Sequence, residues 1–296
     1  MENVNNFRVQ EKRYKCPGDL VPDLSEVLDT RDPNSYGYNN LQAVRPDVFT
    51  YSKVPGLIIL KDCVSPDLQK YLLKEIMFEQ LQDSKNKTNL SPFYKLPLET
   101  DSIWRRYHDG RECDLIEGIP PTKPATVERL IQKKLRWVTL GEQYDWTEKV
   151  YPDPALSPPF PTRLASFVED LVQSYTDYPK WKAEAAIVNF YSPSDTLSAH
   201  VDRSEEDLTL PLISLSIGLD CIYLIGGSSR SEVPMALRLH SGDVVIMTGP
   251  SRQAFHAVPK ILASTIPSYL LTESDQWNRW IQTKRVNFNI RQVRNS

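Results

Sequence analysis

The chain has 296 residues, 40% of them hydrophobic and 25% charged, with a net charge of −3. Such a balance fits a globular protein of one large decorated domain or two small ones, and excludes a low-complexity polymer. It gives no global positive field, so any nucleic-acid surface must be local. Proline outnumbers glycine, 23 to 11, which predicts long, stiff loops. Cys16, Cys63, Cys113 and Cys221 have no CxxC spacing and are expected as reduced thiols. No apolar run reaches the roughly 18 residues of a membrane span. The opening "MENVNNFRVQEKRYK" lacks the apolar stretch of a secretory signal. A monomer in the nucleus or cytoplasm, with no membrane partner, is expected.

In chain order, residues 1–48 are polar and proline-spaced, and are expected to form an N-terminal extension that wraps the body or stays partly mobile. "GLIIL" (56–60) predicts a buried strand. "SPDLQKYLLKEIMFEQL" predicts a helix, with Ser65 as N-cap, Pro66 in the first turn, and Leu68, Leu72 and Ile76 on one face. "PATVERLIQKKL" (124–135) and "TRLASFVEDLVQSY" (162–175) predict two more helices, with the aromatic stretch "RWVTLGEQYDW" extended between them. From 184 short β-rich segments follow one another: 185–191, 212–219, 221–227, 235–241, 243–249, 254–258 and 285–293. Gly226-Gly227, Gly242 and Gly249-Pro250 punctuate them, which predicts a barrel or jelly roll buttressed by the preceding helices. The expected fold class is α+β. A helical and loop-rich recognition region (49–183) would precede the jelly-roll domain (184–296).

The chain has only four histidines, and "LSAHVDRSEEDL" places His200 two residues before Asp202. In an extended segment residues i and i+2 project to one side, so this imidazole and carboxylate can meet on one cation. His256, in "AFHAV", is the best third ligand; His108 and His240 are assigned no chemistry. Two histidines and one carboxylate form the facial triad of non-haem Fe(II) oxygenases, although zinc hydrolases also mix these ligands. "RVNFNIR" alternates strictly: Arg285, Asn287, Asn289 and Arg291 share one face, and Val286, Phe288 and Ile290 the other. If the polar face lines a barrel, its guanidiniums require a small dianion or fixed acidic partners.

These motifs together resemble the AlkB family of Fe(II)/2-oxoglutarate dioxygenases. The family pattern N-x-Y, H-x-D, distal H, R-x-N-x-x-x-R is present as "NFY", "HVD", the histidine of "SRQAFHAV", and "RVNFNIR". The resemblance covers about 130 to 293. "LRWVTLGEQYDW" and "HVDRSEEDLTLPLIS" look most like the first eukaryotic AlkB homologue. The resemblance implies that His200, Asp202 and His256 hold Fe(II) as the catalytic centre, with 2-oxoglutarate and O₂ as co-substrates. Arg285 would pair with the distal carboxylate, helped by Asn189 and Tyr191. Asn287 and Arg291 would steady the metal-proximal end and Asp202. Trp137, Tyr144, Ser204 and Arg252 match substrate-site positions. Ser204 departs from the aspartate of the bacterial prototype, so the base read by that member does not carry over. The implied activity is oxidation of methyl groups on DNA or tRNA.

Three rivals remain at this stage: a histone or protein dioxygenase, a non-catalytic binding module, and an abasic-site lyase using Lys133 or Lys134 as a Schiff base. Nucleic acid is expected along a basic and aromatic surface at 103–137, which includes "IWRRYH". The acidic run Glu205-Glu206-Asp207 is expected on a solvated loop at the rim.

Overall fold

The alternation of residues 285–291 divides the molecule into what lies behind one sheet and what lies in front of it. The computed structural model describes residues 5–36, 41–144, 151, 153, 155 and 157–294. Asp145 and Trp146, the end of the expected aromatic stretch, lie outside the described residues.

The N-terminal part runs through α1 (Asn6–Tyr14), β1 (Leu28–Asp29), α2 (Pro33–Tyr36), β2 (Leu41–Arg45), β3 (Val48–Tyr51), β4 (Leu57–Leu60), α3 (Pro66–Phe78) and α4 (Ile103–His108). A small ribbon, β5 (Leu115–Ile116) with β6 (Ala125–Thr126), leads into α5 (Val127–Arg129), a π turn at Leu130–Lys134 and β7 (Trp137–Gly141). Helix α6 (Thr162–Tyr175) precedes β8 (Ala185–Tyr191), β9 (Leu197–His200), β10 (Leu212–Gly218), β11 (Cys221–Ile225), β12 (Met235–Leu239), β13 (Val244–Met247) and β14 (His256–Ile261). Helix α7 (Asp275–Ile281) and β15 (Arg285–Arg291) complete the order.

Two sheets carry the body. The larger has the order β2-β3-β4-β13-β10-β15-β8-β7, and the smaller β1-β12-β11-β14-β9. All pairings are antiparallel except β1 with β12. The large sheet therefore draws strands from all three expected segments of the chain. Val286, Phe288 and Ile290 point behind it, into a core shared with Leu72 and Ile76 of α3, Trp104 of α4, Val168 of α6 and Trp280 of α7. The other face packs on the small sheet: Leu212, Val245 and Met247 meet Tyr223, Leu237 and Val258. Phe7 and Tyr14 of α1 cover the outer side of the small sheet, against Ile222 and Leu224. Period-two alternation thus sets which residues stay dry and which face the space between sheets.

Helix α3 starts as its sequence predicts, with the Leu68 amide donating to Ser65 Oγ at 3.3 Å and Pro66 in the first turn. Helix α6 spans the whole expected range. The helix expected from 124 starts only at Val127 and gives way to the π turn, because Ala125–Thr126 pair with β5 instead. The N-terminal extension, α4 and α7 supply elements that period-counting did not predict. Each is short, and its apolar residues are too few to establish a repeat. No helix among the described residues is long and apolar enough to cross a membrane.

Candidate metal centre and active site

The metal candidates arise where two strand ends meet. β9 ends at His200, β14 begins at His256, and these two are register partners. Their ring centroids are 4.3 Å apart, and His256 Nε2 lies 3.4 Å from Asp202 Oδ2. One ligand atom from each of His200, Asp202 and His256 falls within 4.8 Å of the others. The carbonyl of Ser198 accepts from His200 Nδ1 at 3.0 Å, and that of Ala254 from His256 Nδ1 at 3.2 Å. With both Nδ1 positions engaged, each Nε2 keeps its lone pair for a metal. Burial, and next the neighbouring His256, push the His200 pKa down, which favours the neutral ligand form. Burial alone would raise Asp202, but the charge of Arg291 and the contact with His256 outweigh it and hold the carboxyl well below the usual range.

The triad opens into a cavity of about 490 Å³ between the two sheets. Trp137, Tyr144, Asn189, Tyr191, Ser204, Arg285, Asn287 and Arg291 all line it, together with the triad. Three strands in register bring the polar positions together: Trp137 pairs with Asn189, Asn189 with Asn287, and Tyr191 with Arg285. Gly218 pairs with Arg285 at φ +95°, where an added Cβ would stand 2.4 Å from the Lys284 carbonyl. Only glycine allows β10 to approach the start of β15 that closely.

Arg285 is 2% exposed. Its Nη2 donates to Ser216 Oγ at 2.8 Å and its guanidinium lies 5.6 Å from the Tyr191 ring centroid. Its Nε and Nη1 are buried with no partner among the described residues. Leaving buried charged donors unmet costs about 1–3 kcal/mol or more, so two of them turned into a cavity fit a bound carboxylate. The donor set suits the pair of ligands: neutral nitrogens and a carboxylate for Fe(II), a forked cation for a diacid. Burial pushes the Tyr191 phenol up to about 12, so it stays a neutral hydroxyl beside that guanidinium.

Several expectations need correction. Glu205 is not on a solvated rim: it is buried between two arginines, with Arg252 Nη2 donating to Oε2 at 2.6 Å and Arg291 Nη1 to Oε1 at 2.7 Å. Arg252, expected at the pocket mouth, is 1% exposed and absent from the cavity wall; it also donates to the Asp202 carbonyl at 3.0 Å and the Leu210 carbonyl at 3.0 Å. The reason is common to both. Two buried guanidiniums need a carboxylate, and Glu205 is the one the loop after Asp202 can supply. Asn287 does not reach Asp202 but bonds to Ser214 Oγ at 2.8 Å and Leu215 O at 2.9 Å; Asn289 Nδ2 lies 3.5 Å from Asp202 Oδ2. Lys133 is exposed and Lys134 donates to Tyr94 Oη at 2.6 Å; neither lines the cavity. On the 103–137 side Arg106 pairs with Asp101 and Asp114, Arg111 with Asp101, and Arg136 with Asp195, so those cations are already neutralised.

Sequence reasoning missed Ser214, Ser216 and Tyr223. The first two had a signal: "LISLSIG" alternates a small hydroxyl with large apolar residues, and those hydroxyls face Asn287 and Arg285. Tyr151 was also missed; its ring is 5.1 Å from Tyr144, edge to face, and its hydroxyl bonds to Ser204. Buried Lys284, with Nζ donating to Gln132 O and Ser192 Oγ at 2.8 Å each, anchors the segment before Trp137 beside Arg285.

Known proteins bear on this arrangement directly. The family model of the 2OG-Fe(II) oxygenase superfamily matches residues 56–291, which spans the triad and both arginines. The "tRNA demethylase abh1" of Schizosaccharomyces pombe is 67% identical over 100% of this chain and 98% of its own. This chain belongs to the AlkB family. Its likeness is to the ALKBH1 branch: the human "Nucleic acid dioxygenase ALKBH1" is 30% identical over 99% of this chain and 79% of its own length. The structure titled "The structure of OsALKBH1" matches with a TM-score of 0.53 at 22% identity, over 85% of this chain and 99% of that one, and shows the shared fold. As a 2OG-Fe(II) oxygenase, the AlkB-family chain described here is a dioxygenase whose cofactors are Fe(II), 2-oxoglutarate and O₂.

Proposed function

We propose that this protein oxidises methyl groups on nucleic acid, with methylated tRNA as its substrate, inside a double-stranded β-helix formed by the two facing sheets. The observation that carries the reading is the shared cavity: three metal-ligand atoms and an arginine with unmet buried donors face one space, and Trp137 and Tyr144 stand on its wall. The tRNA demethylase named above, similar along the full chain, supports the choice of polymer.

His200, Asp202 and His256 would hold the iron, each imidazole oriented by its Nδ1 bond to a carbonyl. Fe(II) with 2-oxoglutarate and O₂ supplies oxidation of a C–H bond, with release of succinate and CO₂. Arg285, steadied by Ser216, would receive the far carboxylate, and the Tyr191 hydroxyl would donate to it. Arg291 would orient Asp202 through its charge, while its Nη1 donates to Glu205 and Ser204. Trp137 and Tyr144 would stack on the base extruded into the site. An N-methyl group so hydroxylated loses formaldehyde, which makes the net change a demethylation. Residues 49–183 would contribute substrate contacts and 184–296 the iron and co-substrate sites.

The test is to incubate the Fe(II)-loaded protein with total cellular RNA and DNA and quantify modified nucleosides by mass spectrometry. A methylated tRNA nucleoside should fall with wild type and not with Asp202→Ala. Succinate formation with no nucleoside lost from either polymer would contradict the reading.

A further inference from the structure

The π turn at Leu130–Lys134 sets where Trp137 enters the large sheet, and side chains from elsewhere hold it in place. The last carbonyls of a helix have no partner inside it and form its negative end. Here they are met from outside. Asn89 Nδ2 donates to the Lys134 carbonyl at 2.8 Å, and Asn89 Oδ1 accepts from the Arg136 amide at 2.7 Å. Lys284 Nζ donates to the Gln132 carbonyl at 2.8 Å. Single π turns of this kind gather at functional sites.

The same ammonium donates to Ser192 Oγ, also at 2.8 Å, and Ser192 directly follows Tyr191. The short turn from Ser192 to Asp195 receives two more cations. Arg136, next to Trp137, pairs with Asp195, and Lys260, on the strand that begins at His256, donates to the Pro193 carbonyl at 3.4 Å. Asp195 Oδ2 accepts from the Ser192 amide at 2.7 Å, which closes the turn. The neighbours of Arg285 and of Trp137, and the strand of His256, therefore all converge on this one turn. Lys284 is 2% exposed. Burial opposes its charge most, Asp195 favours it, and Arg136 and Lys133 oppose it, which brings the pKa down to about 8. A buried ammonium without a bonded carboxylate weakens a fold, so fold stability does not account for a lysine at this position.

We propose that Lys284 is a positioning residue for substrate oxidation: its ammonium ties the turn before Trp137 to the turn after Tyr191, so that the base-stacking wall stays aligned with the co-substrate site. This rests on the nucleic-acid reading given above and deepens it. The co-substrate site keeps a frame of its own, because β8 and β15 pair at seven consecutive positions. Trp137 is the first residue of β7, and its approach depends on Asn89 and Lys284. Without the tie the base sits out of line while 2-oxoglutarate is still consumed. Deprotonation has a milder form of the same effect, since a neutral amine loses the charge assistance that supplies about half the strength of such bonds. Alignment should therefore weaken as pH rises through about 8. The stability contribution of Lys284 moves the other way, rising between that pH and the unfolded value near 10.4, because the fold no longer holds a buried charge.

The experiment incubates the Fe(II)-loaded full chain with 2-oxoglutarate and total cellular tRNA at about pH 7 and about pH 9, on either side of the Lys284 pKa. It measures succinate formed per methylated nucleoside lost. The wild-type ratio should rise from the lower pH to the higher. Lys284→Met should show a ratio raised at least about tenfold at the lower pH, the worth of a hydrogen bond to a charged group, with little further rise and with the 2-oxoglutarate requirement of wild type. Lys284→Arg keeps its charge throughout and should hold the low ratio at both pH values. A merely structural lysine would instead raise the 2-oxoglutarate requirement and the ratio in parallel. That parallel rise, or a Lys284→Met ratio equal to wild type, overturns the inference; if Lys284→Arg does not fold, a wild-type ratio that is flat with pH does so as well. Failure of wild type to remove any methylated nucleoside overturns the nucleic-acid reading, and this inference falls with it.

Discussion

The two ends of β11 carry the same residue types and put them to opposite use. At the Ile225 end, next to His256, each triad histidine spends Nδ1 on a carbonyl and keeps Nε2 open. At the Cys221 end, His240 has both nitrogens closed by carboxylates, Nε2 to Asp29 at 3.0 Å and Nδ1 to Asp220 at 2.9 Å. Arg238 joins the same two acids, and Arg31 closes on Asp243 and Asp62. Burial works against a charged His240, but the two carboxylate bonds overcome it and raise the pKa to about 9. One end is thus a saturated ion network that ties β1 to the small sheet. The other leaves Arg291 Nε and Nη2 buried with no hydrogen-bond partner among the described residues, beside three ligand atoms that lie within 4.8 Å of one another. Residue type alone does not separate a ligand histidine from a structural one; what occupies its second nitrogen does.

That contrast predicts how each end responds to damage. The largest effect should come from Glu205→Ala, which strands Arg252 with no buried counter-charge and leaves Arg291 only the more distant Asp202. Removing one partner of such a cluster costs about 3–5 kcal/mol, to be read from urea unfolding; a loss below 1 kcal/mol would show that the cluster is not a structural pin.

His240 comes next. Its folded pKa lies above the value of about 6.5 it has when unfolded, so its contribution is fully present below that pH and is lost as pH rises through about 9. The amount is on the order of 3 kcal/mol. Lys284 has the opposite sign: burial pushes it down to about 8, so it gains stability as pH rises past that point. The His240 contribution is therefore read as a difference. Thermal stability of His240→Gln should be far below wild type at pH 6 and converge with it near pH 10. Parallel curves would remove His240 from the network.

Arg285→Ala should affect stability least, because two of its three donor nitrogens, Nε and Nη1, have no partner among the described residues and only the bond from Nη2 to Ser216 is lost. The expected cost appears in co-substrate use instead: the 2-oxoglutarate requirement should rise about 10- to 150-fold, the worth of a charge-assisted pair at roughly 1.5–3 kcal/mol. Equal loss of fold stability and co-substrate affinity would erase the distinction between the two ends.

Much of this was legible from residue order, and what was not has physical causes. Strand β15 could be read in full, because a seven-residue alternation of polar and apolar side chains has one reading in a sheet. The triad could be assembled because only four histidines compete for it. Glu205 was misread because an acidic run looks solvated until its partners are known, and those lie 47 and 86 positions away in the chain. Arg252 was misplaced for the same reason. The role of α1 was hidden because a nine-residue polar helix shows its apolar contacts, Phe7 and Tyr14, only once a sheet is laid beneath them.

The central claim is that His200, Asp202 and His256 together grip one iron while Arg285 secures the keto diacid beside it. Anaerobic calorimetric titration of Fe(II), followed by 2-oxoglutarate, tests it most directly. Wild type should take one equivalent of each, Asp202→Ala should lose iron affinity by at least about 100-fold, a loss of roughly 2.7 kcal/mol, and Arg285→Ala should bind iron normally but 2-oxoglutarate weakly. Iron bound equally well by Asp202→Ala would contradict the account.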